Sequence, residues 1–284
     1  MAIGAFWFSV MSLLVKLAGR SGLPSMEIVL ARAVITLALS WAAVRHAGVS
    51  PWGTRRDLLL LRGVLGCLGL TCFYFSIVHI PLGEATLIQY TNPVFATVLA
   101  ALFLGERIGR REVACLVASL VGVVLVTRPA ALFGGETAAI DVRHVVIAVI
   151  GAFCSGAAYV VVRRMGTSEH RLVVVFYLPL VTVPLTLPFA ATSWRMPTPW
   201  EWLVLLGVGI TTQIAQVHMT RGLQLERAAR ATATGYLQIV FAGIWGVLLL
   251  GERPSVWTVL GAIVVLGSVL AVARSKEAAP SADE

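Results

Sequence analysis

The chain has 284 residues, of which 58% are hydrophobic and only 13% charged, with a mean hydropathy of +0.88. Soluble domains carry about 25% charged residues, so a water-soluble globule is excluded and lipid must accept the apolar surface. The formal charge of +8 invites a nucleic-acid partner, a reading that the placement of the charges excludes.

Ten hydrophobic spans follow one another at about 2–19, 26–44, 58–79, 84–104, 112–127, 144–162, 172–191, 201–220, 229–250 and 256–273. Most match the roughly 17–25 residues that cross the hydrocarbon core as a helix; the fifth is short. The first span is read as a structural helix rather than a cleaved signal segment, because Gly4-Ala5-Phe6 recurs inside the chain and no small-residue cleavage site follows. It carries Lys16 near its outer end, and span 2 carries Arg32 about a third of the way in. Span 3 offers Tyr74 and His79, and span 4 offers Gln89, Tyr90 and Asn92 just before Pro93. Span 6 adds Tyr159, span 8 adds Gln213, Gln216 and His218, and span 9 adds Tyr236, Gln238 and Trp245. The polar stretch 275–284 reads as a disordered tail.

A repeat organises these spans. Residues 85–107 and 231–253 are identical at 11 of 23 positions with a shift of 146, including Tyr90/Tyr236, Val94-Phe95-Ala96/Val240-Phe241-Ala242 and two Leu-Gly-Glu-Arg tetrads. Gly4-Ala5-Phe6 pairs with Gly151-Ala152-Phe153 at a shift of 147. Two units of five spans follow, 1–130 and 143–274. An odd number of crossings per unit turns the second copy upside down, the pattern of transporters built on inverted repeats. The expected fold is an all-α membrane protein of ten transmembrane helices in two inverted-topology repeats of five.

Charge supports one orientation. With the N-terminus inside, inner segments hold 14 arginines and lysines against 5 in outer ones, a positive-inside bias that explains the basic balance without nucleic acid. Arg221, Arg227 and Arg230 beside the 8–9 loop have the repeat mates Phe75, Pro81 and Glu84, as loops on opposite faces should. Both termini are expected in the cytoplasm of a cell whose inner membrane holds the protein.

The two tetrads, Leu104-Gly105-Glu106-Arg107 and Leu250-Gly251-Glu252-Arg253, the Pro93-Val94-Phe95 stretch before the first, and Leu30-Ala31-Arg32 in span 2 resemble the EamA-type family of the drug/metabolite transporter superfamily. The second copy departs from the pattern, with Ile239 in place of the proline. The likeness covers nearly the whole chain and within the family is nearest the YddG-type amino-acid exporters. It implies an exporter of small metabolites, amino acids foremost, working by alternating access. A multidrug or quaternary-ammonium exporter is the alternative, and an intramembrane enzyme or lipid-handling protein is the alternative from another class.

Polar groups inside a span face a cavity or a partner. Gln89 and Asn92, three residues apart, share a helix face, and Pro93 predicts a kink beside them. With Tyr74, His79, Tyr90, Tyr159, Gln213, Gln216, Tyr236, Gln238 and Trp245 they are the expected walls of a central cavity between spans 1, 3, 4, 6, 8 and 9. Arg32 either holds neighbouring carbonyls or attracts a substrate carboxylate, while Lys16 is expected to snorkel to the headgroups. The Gly-Glu-Arg of each tetrad reads as helix termination plus a local ion pair, or as a gate. With no carboxylate deep in a span, a substrate ammonium would meet neutral acceptors and aromatic faces, favouring neutral or aromatic amino acids over acidic ones. Cys67, Cys72, Cys115 and Cys154 read as buried small hydrophobes without metal-ligand spacing. There is no Walker loop, no zinc-protease motif and no cofactor or metal signature, so the expected partners are a small-molecule substrate and the bilayer.

Overall fold

The computed structural model describes residues 2–104, 114, 117, 118, 121, 122, 125, 141–166, 168–225 and 237–275. Among them all regular structure is helical: α1 (Ala2–Arg20), α2 (Ser25–His46), α3 (Arg56–His79), α4 (Leu82–Gln89), α5 (Asn92–Leu104), α6 (Val142–Met165), α7 (Arg171–Thr192), α8 (Pro199–Leu225), α9 (Leu237–Leu250) and α10 (Val256–Ser275). Seven stretches are long and apolar enough to cross a membrane, with α4 and α5 together forming one of them, Leu82–Phe103. The expected fifth span, the first tetrad beyond Leu104, Cys115, Tyr236 and the 275–284 tail beyond Ser275 lie outside the described residues.

The helices are apolar on nearly all sides because they face each other on one side and lipid on the other. Leu102, Phe103, Leu187, Phe189, Leu248 and Ile263 are all more than half exposed, as lipid contact requires. Inside, a large apolar cluster joins Met11, Val15, Ile28, Tyr74, Ile77, Ile88 and Leu205. A smaller one joins Val44, Leu59, Met165 and Phe176.

Helix pairing follows a swap rule. α3 packs on α6 and α8 on α1; α3 packs on α7 and α8 on α2; α2 faces α7, and α4 faces α9. The α3–α6 crossing is tight because it is lined by glycine. A Cβ on Gly69 would lie 2.5 Å from Ser155 Oγ, and one on Gly151 would lie 2.7 Å from Cys72 Cβ. Small residues at crossings let backbones approach where hydrophobic burial gives no drive between helices.

Loop contacts sort the helix ends into two groups. At one end, here the upper, Arg195 binds the carbonyl of Ser21 and the carboxylate of Glu27, Leu82 binds Glu252, and Thr258 binds Glu84. At the lower end Glu169, between α6 and α7, accepts from the Thr54 N–H at 2.7 Å, the Thr54 hydroxyl at 2.5 Å and the Arg55 N–H at 2.5 Å. Tyr177 adds a bond to the Trp52 carbonyl at 2.8 Å.

The fourth span is more than kinked. Its helix stops at Gln89 and restarts at Asn92, with Tyr90 and Thr91 between. Pro93 has no N–H to give the Gln89 carbonyl, and the Thr91 carbonyl takes up the Val94 N–H at 3.0 Å to start the next segment. Gln89 and Asn92 therefore sit on two helical segments rather than on one shared face.

Burial opposes the charge of Glu169, yet the Thr54 hydroxyl, the two backbone N–H groups and the nearby Arg55 outweigh it and hold its carboxyl below the ordinary value of 4.5. A depressed carboxyl adds stability that is complete above its unfolded pKa and is lost as pH falls through the lower folded value. Glu169→Gln should cost about 1–2 kcal/mol at neutral pH. In thermal unfolding of detergent-purified protein, the gap between wild type and variant should close on acidification below about pH 4.5; a gap independent of pH would show that the carboxylate is not the latch.

Candidate functional site

The polar residues of the bundle interior fall into two groups on either side of α3. The first surrounds Arg32. Seven residues into α2, its side chain is 4% exposed. Nε donates to Thr212 Oγ1 on α8 at 3.2 Å, and the guanidinium lies 5.5 Å from the centre of the Tyr74 ring. Tyr74 is wholly buried and its hydroxyl reaches Met11 Sδ at 3.0 Å.

From Arg32 a narrow cleft runs between α2, α3, α7 and α8, past Thr36, Ser40, Leu70, Leu178, Thr182, Gln213 and Gln216. Arg32 is its only charged wall residue among the described residues, and no acidic side chain pairs with it there. Two hydroxyls of the wall are engaged locally: the Thr36 hydroxyl bonds the Arg32 carbonyl at 2.8 Å, and the Ser40 hydroxyl donates to Gln213 Oε1 at 3.3 Å. The free space is about 10 Å³, enough for about one water, so a metabolite enters only if the helices part.

α7 contributes a feature that sequence reading passed over. It carries Pro179, Pro184 and Pro188 within the helix. Pro179 cannot donate to the carbonyl of Val175, four residues earlier, and both residues line the cleft. The proline thus leaves a backbone acceptor without its helical donor at a residue of the cleft wall.

The second group lies at the α4–α5 break. Tyr90 donates to Gln238 Oε1 on α9 at 2.8 Å, and Gln89 Nε2 donates to Ser155 Oγ on α6 at 2.9 Å. Gln89 Oε1 is buried without a hydrogen-bond partner. Asn92 is 6% exposed, and its backbone carbonyl lies 2.7 Å from where a Cβ on Gly156 would sit. The two groups are close neighbours, since Ser155 abuts Gly69, next to the cleft residue Leu70.

Several expected site residues are elsewhere. His79 is exposed at the upper end of α3, stacked on Phe75 at 4.0 Å and 4.8 Å from His144. Trp245 bonds Ser9 at 3.0 Å in the α1–α9 contact, and His218 bonds the Ile214 carbonyl at 2.8 Å. Tyr159, on α6, is 37% exposed and lines no part of the cleft. The cleft itself uses α2 and α7, where spans 1, 4, 6 and 9 were expected beside 3 and 8.

Lys16 corrects a further expectation. It does not snorkel: the residue is 6% exposed, and Nζ donates to the carbonyls of Ile80 at 2.5 Å and Val78 at 3.4 Å, with Glu252 at 3.9 Å. The last carbonyls of α3 are a natural cation site. Glu252 also accepts the Leu82 N–H, at 2.9 Å to one oxygen and 3.1 Å to the other, at the start of α4. The second tetrad thus ends α9 with Gly251 in the left-handed region, φ +67, but its glutamate ties α9 to α1 and α4 instead of forming a local pair.

Arg62 was missed altogether. It is 8% exposed in α3, and its Nε and Nη1 are buried without a hydrogen-bond partner. The signal was available: Arg62, Gly66, Leu70 and Tyr74 recur every four residues, so they share one face of α3.

The family model described as "EamA-like transporter family" matches residues 1–128 and 143–274. The chain is 33% identical to the pseudopaline exporter CntI of Pseudomonas aeruginosa, over 97% of this chain and 95% of that one. It is 29% identical to human solute carrier family 35 member G1, over 96% and 78%. Against the S-adenosylmethionine uptake transporter of Rickettsia bellii it is 25% identical, over 78% and 74%. One crystal structure, 22% identical, superposes with a TM-score of 0.65 over 97% of this chain and 99% of its own, a likeness of fold.

The placement of Lys16 makes a prediction. Lys16→Ala should cost about 2 kcal/mol in unfolding of the purified protein, because two carbonyl bonds from a charged donor are lost. A change within about 0.5 kcal/mol, the usual effect of a surface substitution, would return Lys16 to the headgroups.

Proposed function

This chain belongs to the EamA-like transporter family of the drug/metabolite transporter superfamily, and from that premise we propose that it carries small carboxylate-bearing metabolites, amino acids foremost, outward by alternating access. It is a membrane transporter; substrate, direction and mechanism are the proposal. One observation carries it: a guanidinium buried deep in a membrane bundle, held by a threonine and an aromatic face and by no carboxylate among the described residues. Burial of a charge is costly unless it is paired, and a substrate carboxylate supplies the pair in the bidentate geometry that arginine favours. The substrate ammonium meets neutral acceptors, the Val175 carbonyl and the side-chain oxygens of Gln213 and Gln216. A quaternary-ammonium exporter would need the reverse, an anionic or aromatic cage around a cation, and the charge lining this cleft is positive.

Ten crossings in two inverted units agree with the helix ends. Leu104 leaves the lower end, since α5 runs alongside α6 from Asn92 beside Gly156 to Leu99 beside Val160, whereas Val142 starts at the upper end, where His144 meets His79. These two ends support the reading in which an odd number of crossings joins them. The swap rule among helix pairs also fits an internal two-fold, as does the contact between Tyr90 and Gln238, the latter being the repeat mate of Asn92. The arginine-rich lower end, with Arg45, Arg55, Arg56, Arg163, Arg164 and Arg171, is then cytoplasmic, with both termini on that side of an inner membrane.

Alternating access requires that the ends open in turn. Two sets of latches span the cleft helices: Glu27, Arg195 and Glu201 above, and Glu169 with Thr54 below. Substrate charge on Arg32 shifts the balance between them to the extent that it is better held in one state than in the other.

In proteoliposomes, Arg32→Gln should reduce amino-acid flux at least tenfold while Arg32→Lys retains part of it; equal flux in wild type and Arg32→Gln, at equal reconstitution, would remove the carboxylate from this site. For topology, Gly134→Cys and Arg110→Cys in a cysteine-free background should label from opposite sides. Labelling from one side would contradict a fifth crossing.

A further inference from the structure

The cleft explains Arg32 but leaves a second buried cation without a role. Arg62 lies six residues into α3 from the lower end. It is 92% buried, and neither Nε nor Nη1 has a protein partner. An arginine held this way is costly in a low-dielectric interior, so its packing alone does not account for it. Snorkelling does not explain it, because the side chain points further into the bundle: a Cβ on Gly66, one turn deeper, would collide with Nη1. Gly66 is the cradle that admits the guanidinium.

The position relative to the cleft is fixed by α3 itself. Gly66, Leu70 and Tyr74 stand on one face, one turn apart. The Arg62 guanidinium lies against Gly66, Leu70 lines the cleft, and the Tyr74 ring lies beneath Arg32. Leu178 closes the arrangement from α7, touching the space above Gly66 and lining the cleft. Eight residues of helix separate the levels of Gly66 and Tyr74, about 12 Å at the α-helical rise. Arg32 and the Tyr159 phenol lie within electrostatic reach of Arg62, and neither brings a carboxylate.

We propose that Arg62 is a second anion-binding group of the same pathway, so that the favoured substrate is an amino acid bearing a distal carboxylate. Its α-carboxylate is held by Arg32 and its distal one by Arg62, about two turns nearer the cytoplasmic end. The inference rests on the reading of Arg32 given above. It replaces the expectation of a preference for neutral over acidic amino acids, which took Arg32 and Lys16 as the only deep cations. Leu178 touches the Gly66 cradle and lines the cleft, so its displacement is the local rearrangement that would join the two sites.

The test compares two ligands of equal chain length, L-2-aminoadipate and L-norleucine, which differ in the distal carboxylate. Binding is measured by titration calorimetry on the full-length protein in detergent. Wild type should bind aminoadipate about tenfold more tightly than norleucine. Arg62→Gln should collapse that ratio toward one and Arg62→Lys should keep part of it, whereas Arg32→Gln should weaken both ligands. A ratio unchanged in both Arg62 variants overturns the inference while leaving the Arg32 site standing. A ratio near one in wild type does the same, and failure of wild type to bind either ligand overturns both readings together.

Discussion

Everything distinctive in this bundle turns on the cost of placing a cation where water is scarce. Three are buried in the described helices, and they differ in how well the protein pays for them. Lys16 is fully accommodated by two carbonyls and Glu252. Arg32 has a hydroxyl and an aromatic face. Arg62 has a glycine cradle and two orphaned nitrogens. On the proposed reading, that gradient separates a structural charge from substrate-binding ones more sharply than depth in the sequence does. The more a cation is satisfied by its own chain, the less it has left for a substrate.

The same economy governs the backbone. Helices that must cross lipid satisfy their own carbonyls, so each departure is exposed only where something polar lies nearby. The gap at Tyr90–Thr91 sits beside Gln238 and Ser155, and Pro179, which leaves the Val175 carbonyl without its helical donor, stands with Val175 in the wall of the Arg32 cleft. At the helix ends carboxylates do the complementary work. Glu252 caps α4 while pairing with Lys16, and Glu169 caps the turn at Thr54 and Arg55. These contacts join different helices at opposite ends of the bundle, where the proposed alternating access would make and break bonds.

How much of this was legible beforehand depended on whether the signal was local. Hydropathy marks the spans because lipid imposes it residue by residue, and Pro93 marks the break because a missing N–H is a property of one residue. Arg32 stood out as a charge too deep to be an anchor. The partners of these residues were not legible, because partnership is a tertiary fact. Lys16 has the same sequence context as a snorkelling lysine, and only the end of α3 arriving beside it makes the difference. His79 and Trp245 are of suitable chemistry but turn to Phe75 and Ser9. Arg62 hid behind its nearness to the basic loop at Arg55 and Arg56; its four-residue spacing from Gly66, Leu70 and Tyr74 was the clue that placed it on an inward face.

The central claim is that the buried arginine of α2 recognises a carboxylate, and chemistry on the ligand tests it without altering the protein. Binding of an amino acid and of its primary amide to wild-type protein in detergent isolates that one group, since the amide keeps the ammonium, the side chain and nearly the same shape. The account predicts measurable binding of the acid and a loss of at least tenfold for the amide. Equal affinity for the two, or tighter binding of the amide, would contradict it.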